Sequence, residues 1–207
     1  MKPYRPGKIL SENSKCGHSI NLPIKHHCRP TKNCSHTCYA RKGRTALPCN
    51  KKKQVWVSNY LKGLDLSELI QEVKTKKTVR LSGTGDLNKG HVRGIRRLAK
   101  ACPNPMLWGM TRKLDIARAL NKKRKNLKVM VSVDSSSPES VWKYNGILCF
   151  GPRLAGDPVP KQKNILTIFP YHSSGKIVGS VPKDSRDCPA VRHQVRGCLD
   201  CARCWSW

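Results

Sequence analysis

The chain has 207 residues, with 41 Lys and Arg against 12 Asp and Glu, 11 cysteines and 6% aromatic residues. That length supports one domain with its own apolar core, so folding does not depend on disulfide staples. The net charge of +29 excludes a protein with a balanced or acidic surface and points to a polyanionic partner, DNA or RNA backbone first.

In chain order, residues 1–60 read as an irregular, basic segment carrying Cys16, Cys28, Cys34, Cys38 and Cys49. Residues 61–170 read as a β/α core. Leu66, Leu69, Ile70 and Val73 recur at helical spacing behind Asp65 as N-cap. Thr78–Ser82 reads as a short buried strand, followed by a helix with Val92, Ile95 and Ala99 on one face and Arg93, Arg96 and Arg97 on the other. Met106–Thr111 is a second strand, Leu114–Leu120 a short helix and Leu127–Val133 a third, β-branched strand. Pro138–Tyr144 fits a helix opened by proline, and Ile147–Phe150 and Ile165–Phe169 complete the strands. Residues 171–207 read as a cysteine-rich terminal segment.

Strands separated by helices imply parallel βαβ units. Five strands are too few for a closed eight-stranded barrel, so the expected fold is α/β, an incomplete (βα) barrel or open parallel sheet of about five strands, in a single domain over 1–207. In such folds ligands sit at the carboxyl ends of strands. Those ends here run into Ser82-Gly83-Thr84-Gly85-Asp86, Thr111-Arg112-Lys113 and Asp134-Ser135-Ser136-Ser137. Gly, Asp and Ser also fill ordinary turns, but three polar loops on one rim point to a site.

No apolar run approaches the roughly 20 residues of a membrane-spanning helix, and the first six residues hold no apolar signal core. The expectation is a cytoplasmic protein with no membrane partner. In a reducing compartment its cysteines read as metal ligands rather than disulfides.

The sharpest motif is Cys198-Leu-Asp-Cys201-Ala-Arg-Cys204, preceded by Cys188. Two consecutive C-x-x-C steps gather three thiolates, and Cys188 supplies a fourth. That set suits an iron–sulfur cluster, with tetrahedral zinc as the alternative metal. A second group is Cys28, Cys34 and Cys38, whose fourth ligand is open among Cys16, Cys49, His26, His27 and His36. Spacing alone allows one 4Fe-4S centre drawing on both ends of the chain or two separate ones. Cys102 and Cys149 read as small core residues.

Basic clusters stand at Lys51, Lys52 and Lys53, at Lys74, Lys76 and Lys77, at Arg93, Arg96 and Arg97, and at Lys122, Lys123, Arg124 and Lys125. They suit phosphate contacts without base readout, since no helix-turn-helix or zinc-finger spacing is present.

The motif Cys28-Arg-Pro-Thr-Lys-Asn-Cys34-Ser-His-Thr-Cys38-Tyr-Ala resembles the N-terminal signature of the phage "gene product 88" domain family. Arg80-Leu-Ser-Gly-Thr-Gly-Asp86, Gly109-Met-Thr-Arg-Lys113, and the tail Cys188 to Cys204-Trp205 resemble its later motifs in order. The resemblance implies a viral iron–sulfur protein working in the infected host cytoplasm, with a fold remotely similar to the radical-SAM partial barrel. By that similarity Gly83, Gly85 and Asp86 fall where an S-adenosylmethionine amino group would be held, and Ser132, Asp134 and Ser135 where ribose contacts would lie. The cysteine spacing departs from C-x₃-C-x₂-C, with Arg41 standing where a further cysteine would follow Cys38.

Three functions follow. The first is an iron–sulfur protein binding nucleic acid without sequence preference, its cluster structural or redox-sensing. The second is a radical-SAM-like enzyme with an open iron site. The third is an electron carrier docking an acidic redox protein, or a zinc-stabilised nucleic-acid binder. Twelve acids and no Ser–His–Asp pattern argue against a hydrolase.

Overall fold

The computed structural model describes residues 4–13, 16–122, 124–158, 160–170, 172, 173, 176, 177, 184–189, 194 and 196–206. Among them, seven strands form one sheet in sequential order: β1 (Ser11–Asn13), β2 (Gly17–Ser19), β3 (Thr78–Leu81), β4 (Met106–Thr111), β5 (Leu127–Val133), β6 (Leu148–Arg153) and β7 (Ile165–Pro170). β1 and β2 form an antiparallel hairpin, and every later neighbour pairs parallel. The sheet is open, with β1 and β7 at its two edges. A short antiparallel pair, β8 (His172–Ser173) and β9 (Lys176–Ile177), stands apart from it.

The five expected strands are all present, and two more precede them. Residues 1–60 are therefore not wholly irregular. They hold the β1–β2 hairpin, α1 (Lys32–Thr37) and α2 (Pro48–Lys62). Strands of three residues carry too little period-2 pattern to be seen in sequence. In α2, Lys, Asn and Gln around Val57 and Leu61 blur the apolar stripe.

The remaining helices are α3 (Ser67–Lys74), α4 (Lys89–Ala101), α5 (Leu114–Asn121), α6 (Glu139–Trp142) and α7 (Cys198–Cys201). Leu66, not Asp65, is the α3 N-cap; the Asp65 carboxylate instead accepts from the Ser67 N–H at 2.8 Å. α6 is shorter than expected, with Pro138 at its N-cap. In α4 the Asn88 and His91 side chains form a reciprocal capping box.

Alternation along the strands divides the sheet into two faces. Val79 and Leu81, Leu107, Val129, Val131, Val133, Leu148 and Phe150 face α2, α3, α4 and α5 and form the main core with Leu61, Leu69, Ile95, Leu98 and Ile116. Cys102 belongs to this core as expected. α2 and α4 approach closely because position 94 is glycine: a Cβ there would stand 2.0 Å from the Leu61 carbonyl oxygen. On the opposite face Trp108, Met130 and Cys149 pack with Cys16 and Cys204. No long helix covers this side among the described residues, and the site lies there.

Candidate functional site

The face that no long helix covers among the described residues forms the floor of a cavity of about 550 Å³. Arg80, Trp108, Met110 and Ser132 rise from successive strands, and the chain's two ends wall it in. Cys28, Cys34 and Cys38 line it from the N-terminal side. Cys188, Cys198, Cys201 and Cys204 line it from the C-terminal side, together with Cys16.

Several of these cysteines are placed by identifiable contacts. Cys34 lies in the first turn of α1, where the Thr31 hydroxyl oxygen caps the helix by accepting the Cys34 N–H. The Thr31 hydroxyl donates to Asp134, a fully buried carboxylate that is also ion-paired with Arg112 at 2.9 Å. The Asn33 amide donates to the Ser135 hydroxyl at 2.7 Å, and Ser135 donates onward to Asp157 at 2.8 Å. The loop after β5 is thus the dock for the cysteine-bearing helix.

Cys28 follows His27, whose carbonyl accepts from Lys113, as does that of Leu87. His27 itself belongs to a buried polar cluster in which Ser58 Oγ lies 3.4 Å from His27 Nε2 and 3.0 Å from His91 Nε2. Burial pushes the His91 ring down to about 3 and lowers His27 as well, so both are neutral.

On the other side, residues 186–188 run beside the β7 edge. Ile168 donates to the Arg186 carbonyl at 2.8 Å, and Cys188 donates to the Ile168 carbonyl at 2.7 Å. Trp205 anchors the tail against Trp108, with ring centroids 4.9 Å apart. The Arg80 guanidinium lies 5.4 Å from the centre of the Trp108 ring and donates to Cys16 Sγ at 3.0 Å. Burial opposes the Arg80 charge, but Cys16 and Tyr39 outweigh that penalty, and the guanidinium stays protonated. Tyr39 stands beside Cys16, Cys34 and Cys38 and donates to the Gly83 carbonyl.

The thiols crowd one another. Burial, then Asp86, Cys34 and Cys38, push Cys28 up to about 12. Burial also raises Cys34, against the opposing guanidinium of Arg112. Burial with Cys149 and Cys188 as neighbours raises Cys204. Ionising such thiols is costly without added positive charge, and a bound metal supplies that charge.

Among the described residues no three Cys, His, Asp or Glu side chains converge tightly enough to enclose a single ion. A polynuclear cluster spreads its thiolates over several irons and needs a wider space. The all-thiol donor set and the cavity between the two groups fit that requirement.

Of the expected cofactor contacts, Gly83, Gly85, Asp86 and Ser132 line the cavity, while Asp134 and Ser135 are engaged in docking α1. The two glycines have a local cause. Gly85 has φ +68°, and Cβ atoms would stand 2.4 Å from Leu22 O at Gly85 and 2.4 Å from Asn21 Oδ1 at Gly83. Their Cβ sides are filled by the chain itself. Asp86 is buried and accepts from the Leu87 and Arg112 N–H groups, and burial raises its carboxyl.

Sequence reasoning missed Arg80, Trp108 and Tyr39 as site residues and gave Arg112, in one of the strand-end loops, no specific role. The available signal was Arg80 between Val79 and Leu81: a charge inside a buried strand marks a face that is not ordinary core. Cys149, read as core, is buried on the cavity face, where its thiol is pushed up to about 11 by burial.

The basic clusters lie elsewhere. Lys51, Lys52, Arg93, Arg96, Arg97, Lys122, Arg124 and Lys125 are exposed and Lys53 is half-buried; they belong to α2, α4 or the connection from α5 to β5. Lys53 donates to the Leu10 carbonyl and Arg96 to the Ala119 carbonyl, so those two also serve the fold. Lys123 lies outside the described residues. Among the described residues no helix is long and apolar enough to cross a membrane.

The family model of gene product 88 matches residues 4–206, and the chain belongs to this phage family. No curated protein and no solved structure matches it.

Proposed function

We propose that the protein is a phage iron–sulfur protein whose basic helical surface binds nucleic acid without sequence preference. One observation carries the cluster reading: seven cysteines expected as ligands, drawn from both ends of the chain, line a single cavity. Cys28, Cys34 and Cys38 would hold one side of the centre or one of two centres, and Cys188, Cys198, Cys201 and Cys204 the other. When bound, the cluster supplies one-electron chemistry or cross-links the two ends of the chain. The residues around it do the positioning: Asp134 and Arg112 hold α1, and Trp108 holds the tail.

The nucleic-acid reading rests on Arg93, Arg97, Lys51 and Lys52, exposed on α2 and α4, which contact each other. Phosphates neutralise such a surface and release counterions.

A second reading, an enzyme with an open iron site, is favoured by the cavity itself, since about 550 Å³ is a small-molecule volume. In that reading Gly83, Gly85 and Asp86 would contact S-adenosylmethionine.

The deciding experiment is anaerobic purification with iron, zinc and sulfide counts and a visible spectrum. A brown protein with about four iron and four sulfide supports one cubane centre, and about eight of each supports two. A colourless protein with stoichiometric zinc overturns the iron–sulfur reading. Release of 5′-deoxyadenosine from S-adenosylmethionine on reduction would select the enzyme.

A further inference from the structure

Cys16 stands in the connection between β1 and β2, remote in sequence from the C-terminal cysteine motif. Its thiol is nevertheless in contact with the C-terminal group: Cys198 Sγ donates to Cys16 Sγ at 3.8 Å across a separation of 182 residues. Cys204 packs in the same cluster, and both Cys16 and Cys204 are 8% exposed. The Cys16 N–H donates to Asn13 Oδ1 at 3.1 Å, which ties Cys16 to the end of β1.

The surroundings suit a thiolate. The Arg80 guanidinium donates to Cys16 Sγ at 3.0 Å, and a charged donor of this kind stabilises the ionised sulfur that binds metal. Arg80 is itself held over Trp108, against which the tail's Trp205 packs. Of the other three cysteines outside the motifs, Cys149 packs on the same face as Cys16 and Cys204 but sits within β6, and two differ. Cys49 is exposed at the start of α2, and the Cys102 thiol donates to the Ile70 carbonyl within the helical core.

We propose that Cys16 is a metal ligand of the C-terminal centre, completing a set of four thiolates with Cys198, Cys204 and one of Cys188 and Cys201, and that Arg80 is the positioning residue that hydrogen-bonds its coordinated sulfur. The proposal rests on the iron–sulfur reading above and deepens it. The C-terminal centre is then built from both ends of the chain, tying the edge hairpin to the tail across the cavity face. Donation from Arg80 to the coordinated sulfur favours the reduced cluster.

The test compares Cys16→Ser, Cys198→Ser and Cys49→Ser for iron, zinc and sulfide per chain after anaerobic purification, with circular dichroism to verify folding. Cys16→Ser and Cys198→Ser are expected to lose the same amount of iron and sulfide, while Cys49→Ser keeps the full complement. Wild-type metal content in Cys16→Ser, beside a loss in Cys198→Ser, overturns the proposal and leaves the iron–sulfur reading intact. A wild-type chain without thiolate-bound metal overturns both.

Should Cys16→Ser fail to fold, Arg80→Gln keeps every cysteine in place. Its cluster potential is expected to fall, with partial return in Arg80→Lys. A potential unchanged in Arg80→Gln counts against Cys16 as a ligand.

Discussion

The two faces of the sheet are built by opposite rules. On the helical face, Val, Leu and Ile from β3 to β6 meet Leu and Ile from α2 to α5 in a continuous apolar core. On the other face, Arg80, Trp108, Cys149 and Ser132 stand at the alternate strand positions, under a wall of cysteines. The first face needs no partner, because apolar burial is its own driving force. The second buries guanidinium, carboxylate and thiol groups, which is favourable only if each finds a hydrogen bond, a counter-charge or a metal. The apolar core is thus concentrated on one side and the buried guanidinium and thiol groups on the other.

Substitutions can break this division. The largest effect is expected from Asp134→Ala, which leaves Arg112 without its buried carboxylate and frees Thr31. A loss of about 3–5 kcal/mol follows from breaking such a pair, and metal content should fall with it because α1 loses its dock. Chemical denaturation together with iron analysis measures both. If stability drops while metal content per folded chain is unchanged, the loop after β5 does not position the cysteines.

Leu98→Ala is the matching change on the helical face. Leu98 is fully buried, and the cavity left should cost about 2–5 kcal/mol. Metal per folded chain should remain at the wild-type level. A parallel loss of metal would show that the faces are not independent.

The His27–Ser58–His91 cluster makes stability depend on pH in a stated direction. Burial holds the folded His91 ring at about 3, below the ordinary histidine range, so the unfolded chain binds the proton first. Stability is full above pH about 6.5 and falls as pH drops toward 3, by up to about 1.4 kcal/mol per pH unit from this group. His91→Gln should flatten that slope in urea titrations between pH 6.5 and 4.5; an unchanged slope would remove His91 as its source.

Gly85→Ala places a Cβ against Leu22 O at a positive φ, and a loss of about 1–3 kcal/mol is expected. The smallest structural effect is expected from Arg93→Glu with Arg97→Glu, both exposed. Stability should move by less than about 1 kcal/mol, while affinity for single- or double-stranded nucleic acid falls and the salt slope flattens by about 2. Unchanged affinity would separate the helical surface from any phosphate contact.

Much of the core was legible, because β5, β4 and α4 carry strong periodicity and buried residues obey it. Leu127, Val129, Val131 and Val133 announce both a strand and the face it buries. The cysteine motifs were legible for a different reason: thiols repeated at C-x-x-C spacing stand out by residue type and interval alone. The β1–β2 hairpin was not legible, since strands of three residues gain their stability from pairing with β3 rather than from their own pattern.

The sequence by itself determined the α/β class, the helical core, the basic charge and the two cysteine motifs, because each is written in local spacing or composition. Only the tertiary structure decided that both motifs face one cavity, that Asp134 and Ser135 dock α1, and that Cys16 meets Cys198. Those relations join residues up to 182 positions apart. Parallel strand order brings them together in space, and no local periodicity encodes it.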